Sequence, residues 1–278
     1  MTDPRTTVRP LERDRSRHAV PPTEGPNRRK AMNATASGLA GAACLSLAGL
    51  ASNSTVVRAS DPPEQTLTPQ QALDRLKQGN ARYVAWRAGR GQLQNMPEAT
   101  LEICDPDSSQ NFQNSQTPFA IVLGCSDSRV PPELIFDQGF GDLFVTRTAG
   151  QTCDPIVLGT IEYAAFEIGT PPLLVVLGHS KCGAVTAAVD SVVHGTVPPG
   201  WIRNAVTPIL PAARQANREM PRAPVDAKIA RAVRIQAANV SEQIAFRSTW
   251  LASSIRSGRF GVVPAIYDLD SGVVTFLS

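Results

Sequence analysis

Two uninterrupted apolar runs constrain this chain more than any other feature. Residues 119–124 (FAIVLG) and 173–178 (LLVVLG) each consist of five apolar side chains closed by a glycine. Runs this short and continuous suit strands covered on both faces, and such strands belong to parallel sheets packed between helices. Residues 143–146 and 260–267 read as two further strands, and Pro264 places the last at an edge or a bulge. Helical patterns fill the intervals: 155–168 with Asp154 as cap, 182–193, and roughly 228–257. Upstream, Thr68 suits an N-cap and Pro69 the first helical position, where its missing N–H costs nothing. Ala72, Leu73 and Leu76 then share one face, and Gly79-Asn80 reads as the end of that helix. The proline-rich stretch 194–226 reads as a lid or an interface arm. Strands alternating with helices predict an α/β domain, a mostly parallel β-sheet flanked by helices.

Charge divides the chain at about residue 60. Residues 1–60 carry nine Lys/Arg against four Asp/Glu (+5), and residues 61–278 carry the other 18 against 20 (−2). The domain expected over 61–278 therefore lacks the positive stripe of a nucleic-acid binder, and no nucleic-acid partner is expected. Segment 1–60 is expected to be a disordered N-terminal segment with an export signal. Residues 1–30 are rich in Arg, Pro and Thr, too poor in large apolar side chains to offset their ordering entropy. Asn27-Arg28-Arg29-Lys30 then leads into an uncharged Ala/Gly/Leu stretch, 31–51. That order describes a signal peptide, and the arginine pair makes it twin-arginine-like. Cleavage would follow Ala51 or Ala59. The implied protein is exported, periplasmic or in a thylakoid lumen, and meets the membrane only during export. A retained anchor is the competing reading, weakened by a short, glycine-rich span. A lipoprotein at Cys44 lacks the leucine-type box before it. Five cysteines are too few for a disulfide framework.

The chemistry-bearing residues follow the two apolar runs. The first leads into Cys125-Ser126-Asp127-Ser128-Arg129, the other into His179-Ser180-Lys181-Cys182. In open α/β sheets, ligands gather outside the carboxyl ends of strands. The two turns, 54 residues apart, can therefore meet. Cys125, Asp127, His179 and Cys182 are the candidate metal ligands. Two thiols, an imidazole and a carboxylate suit tetrahedral Zn²⁺ and disfavour Mg²⁺ or Ca²⁺. A Cys/Arg phosphatase loop needs five residues between the two and here there are three; a C-x-x-C redox pair is absent.

At these residues the chain resembles the β-class carbonic anhydrases, through C-x-D-S-R and H-x-x-C at this separation. The resemblance runs from about Thr66 to the C-terminus. It takes in Gly79-Asn80-Ala81-Arg82-Tyr83-Val84, Gln116, Ser128-Arg129-Val130-Pro131-Pro132-Glu133, residues 144–150 and residues 265–272. It implies the β-carbonic anhydrase fold and one zinc ion per subunit on Cys125, His179 and Cys182. The implied reaction is reversible hydration of CO₂ to bicarbonate and a proton by zinc-bound hydroxide. Asp127 and Arg129 would be the catalytic pair, and Gln116 would bind bicarbonate across the interface of a homodimer or higher oligomer. Val122 stands where the bicarbonate-gated subgroup carries Trp, which implies the open subgroup. Arg147-Thr148-Ala149-Gly150-Gln151 departs from the family's frequent Arg-Asn-x-Ala-Asn. Alternatives on the same scaffold are a catalytically silent zinc protein and a carbon disulfide or carbonyl sulfide hydrolase. His194 reads as a solvated surface histidine, and Cys104 and Cys153 as either a pair or two free thiols.

Overall fold

The computed structural model describes residues 67–89 and 116–277, which fall within one unit spanning Val57–Ser278. The expected export segment with Arg28, Arg29 and Cys44 lies outside the described residues, as does Cys104. Five strands form one sheet: β1 (Ala120–Cys125), β2 (Leu143–Thr148), β3 (Leu173–His179), β4 (Gly261–Tyr267) and β5 (Val274–Phe276), in the order β2-β1-β3-β4-β5. The first four run parallel, and β5 returns antiparallel to β4. Every residue of β1 and β3 is buried, as their unbroken apolar runs require.

Alternate side chains enter opposite layers. Ala120, Val122, Leu173, Val175 and Leu177 pack beneath α1 (Pro69–Ala88) and the single turn α2 (Pro132–Ile135). Ile121, Leu123, Leu174 and Val176 face α3 (Pro155–Glu162), which continues as a π-helical stretch through Ile168. Asp154 caps α3, its Oδ1 accepting from Val157 N–H at 2.8 Å. The other α-helices among the described residues are α4 (Gly183–Val193), α5 (Ile202–Val206), α6 (Leu210–Glu219), α7 (Val225–Arg247) and α8 (Thr249–Arg256). Ser248 divides the predicted 228–257 helix: its backbone is extended and its hydroxyl caps α8 through Leu251 N–H. Among the described residues, no helix is long and apolar enough to cross a membrane.

Three expectations are corrected. The first helix does not stop at Gly79-Asn80 but continues to Ala88. Gly79 is a packing glycine: a Cβ there would stand 1.7 Å from the Phe136 carbonyl oxygen, so no other residue lets α1 lie this close. Asn80 is a buried tie. Its Nδ2 donates to the Ile135 and Gly272 carbonyls at 3.0 and 2.9 Å, and its Oδ1 accepts from Val274 N–H at 2.8 Å. Pro264 lies in an internal strand, paired with Val176 and neither at an edge nor marking a bulge. Its carbonyl accepts from Leu277 N–H, so its missing donor also faces the β5 side, just where that short strand ends. The second half of the stretch 194–226 is no lid: Ala212, Ala213 and Ala216 of α6 are fully buried in the core with Val185 and Val189 of α4 and Val233 of α7, whereas Val197, Trp201 and Ile202 before it are exposed. Pro208 and Pro211 each open a helical turn, where proline is tolerated.

Candidate metal centre

The strand order places a switch point between β1 and β3, because the chain leaves β1 to one side for β2 and returns to the other for β3. Cys125 is the last residue of β1, His179 the last of β3, and Cys182 the N-cap of α4. Their ligand atoms lie within 4.8 Å of one another, with the sulfurs 3.9 Å apart. All three side chains are buried.

The imidazole shows what this cluster lacks. His179 Nδ1 lies 3.0 Å from the Ser180 carbonyl, which only accepts, so Nδ1 carries the proton. Nε2 is then a bare lone pair, fully buried and without a hydrogen-bond partner. Leaving such an acceptor unpaired costs about 1–3 kcal/mol. Two adjoining thiols satisfy it poorly, whereas a borderline-soft cation satisfies all three groups at once, and the donor set fits zinc. The Cys182 thiol hydrogen-bonds the Cys125 sulfur and lowers the Cys125 pKa, against the opposing effect of burial. That same hydrogen bond, with burial, pushes Cys182 up. Gly150 N–H also donates to Cys125 Sγ at 3.3 Å, favouring the thiolate.

Asp127 stands beside this triad. Its Oδ2 is 3.9 Å from His179 Nε2. Both carboxylate oxygens are engaged by Arg129: Oδ1 accepts from Nε at 2.9 Å and from the backbone N–H at 3.0 Å, and Oδ2 accepts from Nη2 at 2.7 Å. These bonds hold the Asp127 carboxyl well below the usual carboxylate range. Arg129 Nη2 also reaches the Lys181 carbonyl at 3.3 Å, tying the first motif to the second. Lys181 adopts φ +56° to make that turn, and its ammonium pairs with Asp270 at 2.7 Å. An open cleft of about 650 Å³ borders Arg129, with Tyr83, Arg87, Tyr267 and Asp270 along its walls.

Of the other residues singled out in the sequence, Gln116 is exposed in the segment leading to β1. His194 is exposed at the far end of α4. Eleven helical residues lie between it and Cys182, twelve steps or about 18 Å at 1.5 Å per residue, so it is no neighbour of the centre. Cys153 is a free, half-buried thiol whose pKa burial pushes up to about 11. Sequence reasoning assigned nothing to three residues that shape the site. Gly150 closes the pocket at φ +67°, and Gln151 follows at φ +42° with its buried carboxamide lacking a hydrogen-bond partner. Arg147 Nε donates to the Cys125 carbonyl at 2.8 Å. Main-chain contacts and positive φ values of this kind leave no spacing signal.

A parallel sheet with a Cys-His-Cys centre at its switch point defines a class of zinc enzyme fold, and similarity to known proteins agrees. The family model described as carbonic anhydrase matches residues 120–274. Carbonic anhydrase 2 of Mycobacterium tuberculosis is 38% identical over 207 residues, 73% of this chain and 90% of that protein. The carbonic anhydrase of Mycolicibacterium smegmatis is 38% identical over 213 residues, 76% of this chain and 94% of its own length. Two solved folds are alike at low identity. A β-carbonic anhydrase of Aspergillus fumigatus gives a TM-score of 0.56 at 24% identity, over 62% of this chain and 81% of that one. A tetrameric β-carbonic anhydrase of Sordaria macrospora gives 0.57 at 19% identity, over 72% and 98%. The chain belongs to the carbonic anhydrase family, with the β-class fold.

Proposed function

We propose that this protein is a zinc-dependent carbonic anhydrase that interconverts CO₂ and bicarbonate. The observation that carries the reading is the orphaned, buried Nε2 of His179, facing two thiols with an ionised Asp127–Arg129 pair 3.9 Å away. Cys125, His179 and Cys182 would hold the metal. When bound, zinc supplies the Lewis acidity that makes water a nucleophile near neutral pH. The Ser180 carbonyl fixes the tautomer of His179 and keeps Nε2 free to ligate. Asp127, ionised, can only accept hydrogen bonds. With the metal held by the triad, it would accept one from water there and so orient that water for attack on CO₂. Arg129 occupies both carboxylate oxygens, keeping Asp127 charged and restraining it from moving in as a ligand. Its exposed side borders the open cleft.

The test is stopped-flow CO₂ hydration on protein of measured zinc content, with Asp127→Ala as control. Full zinc occupancy without hydration by the wild type would overturn the reading. Three finer proposals accompany it. Gln116, in register with Cys125, binds bicarbonate across a homodimer interface; Gln116→Ala should raise the bicarbonate KM. Val122 in place of Trp supports the open subgroup, which cooperative inhibition by bicarbonate at mildly acidic pH would refute. Arg28-Arg29 ahead of the 31–51 stretch supports twin-arginine export to an extracytoplasmic compartment, which unchanged export after replacing both by Lys would refute.

A further inference from the structure

The turn that leaves β1 carries both a metal ligand, Cys125, and the carboxylate of Asp127. Carbonyls beyond a strand end have lost the sheet ladder and need another donor. On one side the sheet still helps, since Ser126 N–H donates to the Thr148 carbonyl at 2.9 Å. The flanking carbonyls are held by a side chain. Arg147 on β2 lies opposite Gly124 in the strand register. A Cβ on Gly124 would stand 4.0 Å from Arg147 Cγ, so the arginine stem runs alongside the glycine towards the end of β1. There Nε donates to the Cys125 carbonyl at 2.8 Å and Nη2 donates to the Asp127 carbonyl. One planar group thus spans Cys125-Ser126-Asp127, in which a single residue separates thiolate from carboxylate.

We propose that Arg147 is a positioning residue of the metal centre, its guanidinium bridging the Cys125 and Asp127 carbonyls to set the thiolate ligand and the carboxylate relative to each other. It is not a catalytic residue, because its hydrogen bonds go to main-chain carbonyls and not to the sulfur or the carboxylate. A rigid fork with two parallel donors meets this geometry, whereas a lysine ammonium is a point charge on a flexible stem. The inference deepens the proposed function, and its spectroscopic arm stands independently of turnover.

The test compares Arg147→Gln and Arg147→Lys in the full-length protein, loaded with zinc for kinetics and with cobalt for spectroscopy. The thiolate-to-cobalt charge-transfer band reports the ligand geometry at Cys125. Both variants should keep one metal per subunit, shift or weaken that band, and lower kcat about 10–100-fold, the usual size of an outer-shell loss. In an Asp127→Asn background, where placement of the carboxylate no longer matters, Arg147→Gln should cost less than about threefold more, a non-additive result. The band should still move there. Methylguanidinium should restore activity to Arg147→Ala. A wild-type band and rate in Arg147→Lys would overturn the proposal, since charge alone would then suffice. So would losses that add fully in the double variant, or that track only a fall in Tm. If the wild type proves inactive on CO₂, an unmoved cobalt band in Arg147→Gln is the result that overturns the clamp.

Discussion

Replacing Gly150 by alanine tests how tightly the metal pocket is closed. Gly150 adopts φ +67°, and a Cβ there would stand 2.5 Å from Ile209 Cδ1 and 3.3 Å from Ala184 Cβ. The left-handed backbone costs an L-residue about 1–2 kcal/mol. Forcing a methyl into a packed core costs about 1–3 kcal/mol more. The sum is about 2–5 kcal/mol, which for a domain of this size lowers Tm by about 4–20 °C. Relief by moving Gly150 away from Ile209 would lengthen the Gly150 N–H bond to Cys125 Sγ, so metal retention should fall as well. Gly159→Ala is the matched control. Gly159 is exposed within α3 with nothing near its virtual Cβ, so alanine there should stabilise by about 0.5–1 kcal/mol. The assay is thermal unfolding of both variants at equal metal content. A Gly150→Ala Tm within about a degree of wild type would refute the argument, as would a fall in Gly159→Ala.

Asn80→Leu should destabilise by about 3–5 kcal/mol in urea unfolding, since it strands two carbonyls and one N–H in the core. Cys153 should alkylate slowly. With its pKa pushed up to about 11, only about one thiol in a thousand is ionised at pH 8, so iodoacetamide labelling should lag far behind that of free cysteine. For Asp127, the folded pKa is depressed by Arg129. Its stabilisation is therefore fully present above the unfolded value, about 3.9, and is lost only as pH falls through the lower folded value. The Tm gap between wild type and Asp127→Asn should be flat from pH 5 to 8 and narrow below pH 4; narrowing between pH 6 and 8 would show the pairing misassigned.

The sequence by itself determined the parallel sheet and the ligand set. Continuous apolar runs have one favourable home, a strand covered on both faces, and a ligand placed directly after such a strand must emerge at its carboxyl end. That argument needs only nearest neighbours along the chain, which is why Cys125, His179 and Cys182 were legible as ligands from the residues, whereas the pairing of Asp127 with Arg129 was implied by the family resemblance. The same local reasoning misread Gly79 and Asn80 as a helix end and Pro264 as an edge. Their true partners, Phe136, Gly272, Val274 and Leu277, lie 13 to 194 residues away in the chain. Tertiary structure alone decided that glycine there means close approach, asparagine a buried tie, and proline the end of a neighbour. It alone also decided the support of the centre. The Gly150 N–H on a sulfur and the Arg147 fork on two carbonyls act through the main chain, whose hydrogen-bonding groups are the same at nearly every residue and so leave no mark in the order of side chains.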